Sequence, residues 1–587
     1  MPQDDRVTPQ QPNHGAQHER QTTSASCAAT YRRIEQGELT GSVDAQGCLR
    51  WLGVPFAEPP LGRLRWRAPR PPTNWQGVWR ADRPGQPSAQ RGAFAVGGLV
   101  GDEDCLYLNI WSPPANERRP VMLWIHGGAN VIGQGDGFDG GTLALSQRVV
   151  VVTINYRLGV FGWFRHPALS SADDNAEDRS GNYGILDAIA ALRWVQRNIA
   201  AFGGDPANVT VFGESAGATI VCALLCAAQA RGLFHRAIAQ SGVPAALSVA
   251  HYENYLDDPA PGDPRSSGEL LLQLMVDDGH ATDRRSAKAL IGGWNAPRIA
   301  AYLHAKSFAE FDAAYRRIAE RHPSLSLRPG FLHPVADGHV VPLHGFTAAI
   351  RAGRFNRVPV VLGTNRDECT ILLLLYASGF VPPFKTMAAT VDDPVRFELA
   401  AQYASELMRA NAVDDIANAL SMHQPGQVFA YRFDWNELAS LPGFSNIALG
   451  ATHGLEVPFV FGHLQLGPEF FHMRLIQGAS LRSYRQLADR VMSYWGAFAA
   501  TGDPARGHSG ELPVWTPWQV PSSNSLLLDA AARGGIRMAP IPLDKQTTLE
   551  RIDDDQRIGA PADRARFRQQ LVAFARLFGF LGDSIQA

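Results

Sequence analysis

The chain has 587 residues, 45% of them hydrophobic, and balances 54 Lys and Arg against 56 Asp and Glu, which suits a large globular core and excludes a disordered or collagen-like chain. A formal net charge of −2 with no dense basic block leaves no electrostatic footprint for nucleic acid or an anionic membrane surface. No stretch approaches the roughly 18 uninterrupted apolar residues of a bilayer span, and the N-terminus lacks the apolar core of a secretory signal, so a soluble cytoplasmic protein is expected.

Residues 1–30 are polar and nearly free of large apolar groups, so burial cannot offset the entropy of ordering them, and they read as a disordered tail ahead of a single domain over 31–587. The segment Leu49 to Phe56 reads as a strand. Val121 to Ile125 and Val149 to Ile154 are short continuous apolar runs, the pattern of strands buried on both faces. Between Gly184 and Ala201, Ile185, Ile189, Leu192, Val195 and Ile199 recur at three- and four-residue steps and line one face of a helix. Val209 to Phe212 is a further buried strand, Ala216 to Ala228 an apolar helix, and Ala237 to Gln240 and Val358 to Leu362 two more strands. This alternation predicts an α/β fold with a large, mostly parallel sheet and helices on both faces. Two less regular, helix-like stretches, near 243–332 and 371–450, interrupt it and are expected as insertions forming pocket walls.

Gly213-Glu214-Ser215-Ala216-Gly217 lies directly between a strand and a helix. The bare G-x-S-x-G pattern also fits an ordinary turn. A strand-to-helix turn this tight, however, needs small flanking residues and holds the serine Oγ proud of the sheet at a helix N-terminus, which favours a nucleophile. His126-Gly127-Gly128-Ala129 follows another buried strand. It reads either as a strand-ending turn or as a loop whose backbone N–H groups meet a developing oxyanion. Taken singly, Glu368 reads as a surface carboxylate and His453 as a turn histidine.

These residues resemble the type-B carboxylesterase group of α/β-hydrolases, which includes cholinesterases and bacterial para-nitrobenzyl esterases. The likeness runs from Gly53-Val54-Pro55-Phe56-Ala57 and Pro60-Leu61-Gly62-Arg63-Leu64-Arg65 through Glu103-Asp104-Cys105-Leu106-Tyr107-Leu108-Asn109, the His126-Gly127-Gly128 loop and Asn155-Tyr156-Arg157-Leu158-Gly159. It continues through Gly181-Asn182-Tyr183-Gly184, Phe202-Gly203-Gly204-Asp205-Pro206 and the serine turn to Thr501-Gly502-Asp503-Pro504. The resemblance implies an α/β-hydrolase that cleaves small carboxylic esters through an acyl-serine, without metal or organic cofactor. It makes Ser215 the nucleophile and the N–H groups of Gly128, Ala129 and Ala216 the oxyanion donors. Glu368, in Gly363-Thr364-Asn365-Arg366-Asp367-Glu368, matches the family acid, with Asp367 as its rival, and His453, opening His453-Gly454-Leu455-Glu456-Val457-Pro458-Phe459, matches the family base. Ser241 and Glu456 are expected as supports, Asn130 and Glu214 at the substrate pocket, and Arg65 with Glu103 and Arg157 with Asp187 as scaffold ion pairs. Amide, carbamate or lactone cleavage by the same residues, or a non-catalytic binding role, are the alternatives.

Several features depart from the family or mimic other sites. Asn130 stands where the family often has an aromatic and suggests a more polar contact, and Phe94 is the only large aromatic where cholinesterases bind choline. Gly135 to Gly140 fits G-x-G-x-x-G but follows no strand, and the next strand arrives with no room for a helix. The sequon at Asn208 enters a buried strand, and His453 with Glu456 is a lone H-x-x-E without further ligands. The six cysteines, Cys27, Cys48, Cys105, Cys222, Cys226 and Cys369, lack C-x₂-C spacing, and Cys105 has no cysteine between Trp75 and Asp104 where the family partner would lie, so free thiols are expected.

Overall fold

A computed structural model describes residues 29–92, 98–114, 117–171, 174–322, 332–376, 393–439, 448–464 and 476–582. Residues 1–28 of the expected tail, Cys27 among them, and Phe94 lie outside these residues, whereas Thr30, placed in the tail by its polarity, is buried with its carbonyl accepting from the Trp51 indole N–H at 2.7 Å. The centre of the fold is an eleven-stranded sheet. Its strands are β1 (Ser42–Val43), β2 (Leu49–Pro55), β3 (Tyr107–Ser112), β4 (Arg119–Ile125), β5 (Val150–Ile154), β6 (Gly204–Glu214), β7 (Arg236–Gln240), β8 (Val360–Asn365), β9 (Val428–Phe433), β10 (Asn524–Leu528) and β11 (Arg537–Pro540). Across the sheet they run β11-β10-β9-β8-β7-β6-β4-β5-β3-β2-β1. From β5 through β4, β6, β7, β8 and β9 to β10 every neighbouring pair is parallel, and the pairs outside that run are antiparallel.

Alternation along each strand divides the core between the two faces. On β4, Val121, Leu123 and Ile125 face one way, with Val209 and Val211 of β6, toward helices α1 (Tyr183–Asn198) and α2 (Ala216–Cys226), which contribute Ile189, Leu192, Val195, Ile220 and Leu224. Met122, Trp124 and Phe212 face the other way, toward α3 (Val457–Phe461) and α4 (Ser480–Thr501). The Trp124 ring lies 4.8 Å from Phe212 and 5.1 Å from Phe461, centroid to centroid. Both faces being covered, the strands need no polar side, which is why Val150–Ile154 is buried throughout.

The expected strands and helices are present with ends shifted by a few residues. The helix expected from Gly184 to Ala201 ends as α at Asn198 and continues as one 3₁₀ turn, Ile199–Phe202. The stretch near 243–332 does contribute helices, among them Ser267–Asp277, Ala296–His304 and Phe308–Arg321. The stretch near 371–450 differs: it holds β9, a central strand between β8 and β10, as well as the helix Pro394–Arg409. A helix, Gly141–Gln147, also fits between Gly140 and β5, where none was expected, because it is only seven residues long and Arg148 closes it in the left-handed conformation. Among the described residues no helix is long and apolar enough to cross a membrane, and Cys48, Cys105, Cys222, Cys226 and Cys369 are all unpaired.

Arg157 and Asp187 form a fully buried pair that ties the start of α1 to the loop after β5. Arg157 donates from Nη2 to Asp187 Oδ1 at 2.7 Å and from Nε and its own backbone N–H to Oδ2 at 2.9 and 3.0 Å, while Nη1 reaches the Arg67 carbonyl at 2.8 Å. Arg65 likewise pairs with Glu103, from Nε at 2.7 Å. Asp187→Asn leaves the guanidinium buried without its counter-charge and is expected to destabilise the fold by about 3–5 kcal/mol. Arg80→Gln, which breaks a pair whose arginine is 77% exposed, is expected to stay within about 1 kcal/mol. Denaturation midpoints of the two variants against the parent check the contrast.

Candidate active site

Parallel register brings the C-terminal ends of β4, β6, β7 and β8 to one edge of the sheet. Gly213 pairs with Ile125, Glu214 with Gln240, and Gln240 with Gly363. The residues that follow, His126, Ser215, Ser241 and the turn holding Glu368, therefore emerge side by side, in the crevice where open α/β sheets bind ligands.

Ser215 sits between β6 and α2 with φ 56° and ψ −121°, a conformation that a non-glycine residue keeps only under constraint. The constraint is the approach of β4. A Cβ on Gly213 would lie 2.7 Å from the Ile125 carbonyl oxygen, and one on Gly217 would overlap the same oxygen. The Ser215 N–H donates to Gln240 O at 2.9 Å, and Ser215 O accepts from Thr219 N–H at 3.0 Å, which locks the turn at both ends.

His453 reaches this serine from the loop ahead of α3. Its Nδ1 lies 2.6 Å from Glu368 Oε2 and its Nε2 lies 2.9 Å from Ser215 Oγ. A carboxylate can only accept, so Nδ1 carries the proton in the neutral ring and Nε2 is left to accept from the hydroxyl. Glu368 is wholly buried, and its other oxygen, Oε1, accepts from Ser241 Oγ at 2.5 Å and from the Asn365 N–H at 2.6 Å. Asp367 points elsewhere. It pairs with Arg366 Nη2 at 2.7 Å and accepts from the Ala451 N–H at 2.7 Å.

Three carboxylates converge on this imidazole. Besides Glu368, Glu214 places Oε1 3.2 Å from Nε2, and Glu456, buried behind the pair, accepts from Asn365 Nδ2 at 2.7 Å and Gln240 Nε2 at 3.1 Å. Burial opposes charging His453, but Glu214, Glu368 and Glu456 together outweigh it and raise the histidine from its usual 6.5 to about 9. Burial, helped by the charge of Glu368, raises Glu456 as well. No motif singles out Gln240 or Asn365. Their signal is positional: each is the last residue of its strand, one beside Ser241 and the other three before Glu368.

The His126 loop lies against the serine turn. A Cβ on Gly127 would meet Glu214 Oε2 at 2.6 Å and Ser215 Cβ at 3.1 Å. Gly128, Ala129 and Asn130 follow with φ of 100°, 57° and 62°. Among the described residues the N–H groups of Gly128, Ala129 and Ala216 donate to no protein acceptor, Ala216 because a first-turn helical N–H has no partner within its own helix. Asn130 is buried, and its Nδ2 donates to Leu332 O at 2.5 Å. The motif decoys are otherwise engaged. Asn208 bonds Arg236 and donates to Ala500 O, and the glycines from Gly135 make a 3₁₀ turn that follows no strand. Among the described residues no group of His, Cys, Asp and Glu is placed to hold a metal ion.

Known proteins share this arrangement of chain. The sequence model of the carboxylesterase family matches residues 28–387 and 392–538. The para-nitrobenzyl esterase of Bacillus subtilis is 33% identical over 522 residues, 84% of this chain and 94% of that protein. The fumonisin B1 esterase of Sphingopyxis macrogoltabida is 33% identical over 490 residues, 79% and 81% of the two chains. Among solved structures, a thermophilic PNB esterase matches with a TM-score of 0.66 at 29% identity, over 92% of this chain and 100% of that one. The chain belongs to the carboxylesterase family, has its α/β-hydrolase fold, and is a carboxylic ester hydrolase.

Proposed function

We propose that the chain hydrolyses small carboxylic esters through an acyl-Ser215 intermediate, with His453 as the base, Glu368 as its partner, and the N–H groups of Gly128, Ala129 and Ala216 as oxyanion donors. The observation that carries this reading is the continuous chain from Glu368 Oε2 through His453 to Ser215 Oγ, ending beside three N–H groups that have no acceptor among the described residues. His453 Nε2 takes the hydroxyl proton as Ser215 Oγ attacks the ester carbonyl, and the carbonyl oxygen, now negative, accepts from the three N–H groups. Collapse breaks the bond to the leaving alkoxide, which receives the proton from Nε2. Water, deprotonated by the same nitrogen, then attacks the acyl carbon; collapse breaks the acyl–Oγ bond, Nε2 returns its proton to Ser215 Oγ, and the acid leaves. Every step is a proton transfer or an acyl transfer, so no cofactor is called for. The unpaired cysteines fit a reducing, cytoplasmic setting.

Ser215→Ala is expected to lower p-nitrophenyl ester turnover by about 10³-fold or more while the circular dichroism spectrum and melting midpoint hold, because Ala fits the same turn. Retained turnover would put the nucleophile elsewhere. Glu368→Gln is expected to cost about 10⁴-fold in kcat. Oε1 accepts from two donors, so an amide must put its oxygen there and its NH₂ against His453, which forces the proton onto the nitrogen that faces Ser215. Asp367→Asn, which keeps its distance from the histidine, is expected to leave kcat within a few-fold. Only neutral His453 accepts the serine proton, so a raised pKa shifts the acidic limb of the kcat/KM profile upward, away from 6.5 and toward about 9. Glu214→Gln removes one of the charges that raise the histidine and should bring that limb back toward neutrality, as a pH series on both enzymes would record.

A further inference from the structure

Three successive residues of the His126 loop, Gly128, Ala129 and Asn130, have positive φ. Glycine does this freely, but two consecutive non-glycine residues hold such a conformation only where their surroundings over-determine it. The hold on Gly128 is local, since its carbonyl accepts from the N–H groups of Val131 and Ile132, each at 3.0 Å. Ala129 and Asn130 are held from outside. Leu332 donates its N–H to Ala129 O at 3.3 Å and accepts from Asn130 Nδ2 at 2.5 Å, so both backbone groups of one residue grip two neighbouring residues of the loop. Gly159 N–H adds a bond to Asn130 O at 2.8 Å.

Given the oxyanion reading above, on which this inference rests, we propose that Asn130 is a positioning residue: its clamp on Leu332 fixes the loop so that the Gly128 and Ala129 N–H groups stay aimed at the oxygen of the reacting carbonyl. Asparagine suits the place twice over, as the non-glycine residue that best tolerates the left-handed region and as a carrier of an N–H donor. Asn130 is only 2% exposed, so water does not compete for the bond to Leu332, and among the described residues its buried Oδ1 has no hydrogen-bond partner. Among the described residues the Nδ2 bond is therefore the one polar attachment that orients the amide. Turning the amide over would set Oδ1 against the Leu332 carbonyl, two acceptors facing each other, so the donor's direction is determined. An aromatic ring at this position could fill space but could not make the bond.

The test compares the parent enzyme with Asn130→Gly, which keeps the left-handed backbone and deletes the clamp, and Asn130→Asp, which keeps shape and backbone preference but turns an acceptor toward Leu332 O. Each is assayed for kcat and KM on p-nitrophenyl acetate and for inhibition by a trifluoromethyl ketone and by the methyl ketone of the same skeleton. The fluorinated ketone adds to Ser215 and develops the oxyanion, whereas the methyl ketone mainly reports ground-state binding. Both variants should lose about 10- to 100-fold in kcat with KM changed less than threefold, a smaller loss than that of deleting a donor outright, and should lose preference for the fluorinated ketone by the same factor. Asn130→Asp also serves if the glycine variant folds poorly. Parent-like kcat and ketone preference in both variants would overturn the proposal. So would a rise in KM at constant kcat, since that marks a direct substrate contact. A parent enzyme with no preference for the fluorinated ketone would instead remove the oxyanion reading, and this inference with it.

Discussion

The site depends on how closely β4 approaches the turn after β6. The carbonyl oxygen of Ile125 occupies the space where Cβ atoms on Gly213 and Gly217 would lie, so both positions are confined to glycine and the chain between them must turn within a few residues. That compression puts Ser215 in its strained backbone conformation and leaves the first N–H of α2 at its side without an acceptor among the described residues. It also sets the position of the His126 loop, because that loop begins at the next residue of β4 and comes to rest against Glu214 and Ser215. Two strands in register thus deliver a hydroxyl and the neighbouring backbone donors together, and only the histidine and the acid have to be supplied from further along the chain.

Bringing those partners in creates an electrostatic problem that the surrounding polar groups resolve unequally. Glu368 has donors on both oxygens, one of them the imidazole. Glu456 has two side-chain amides, from Gln240 and Asn365, and the Gln240 oxygen is held in turn by the indole N–H of Trp495 at 3.1 Å. Amides satisfy a carboxylate without adding a positive charge, and the charges of all three acids act on His453. The protonated histidine is stabilised accordingly, and in the mechanism proposed above the same field favours the imidazolium that would form as Ser215 gives up its proton. The cost of that stronger base is a smaller fraction of neutral histidine at rest below about pH 9.

Much of this fold is legible in the sequence wherever one physical rule acts alone. Val149 to Ile154 and Val209 to Phe212 read as strands because they are apolar on both faces, and the serine turn reads from its glycines. The strand β9 escapes because Val428-Phe429-Ala430-Tyr431-Arg432-Phe433 carries one charged residue, Arg432, and one polar-tipped residue, Tyr431, within a helix-like stretch. Arg432 is accommodated at its end of the strand by bonds of 2.6 and 2.7 Å to Asp434. Tyr431 is accommodated because Gly363 on the adjacent strand leaves room for its ring, a pairing visible only once β8 and β9 are side by side. The Asn130 to Leu332 clamp is hidden for the same reason. It joins positions 202 apart, and neither residue type announces the other.

The choice between Asp367 and Glu368 shows how a strand end can decide chemistry. After Asn365 the chain leaves β8 in a turn, and the Glu368 side chain folds back so that Oε1 accepts the backbone N–H of Asn365, three residues earlier. This local bond, with Ser241 from the neighbouring strand end, orients the carboxylate independently of the histidine. Oε2 is then left facing His453, already directed. Asp367 is bound just as firmly, but to the backbone of Ala451 and to Arg366, where it helps secure the loop that carries the histidine two residues further on. Adjacent acids therefore take up different tasks because the turn after β8 points one inward and the other toward the histidine's own loop. The geometry separates a carboxylate that aligns the imidazole from one that holds the backbone carrying it.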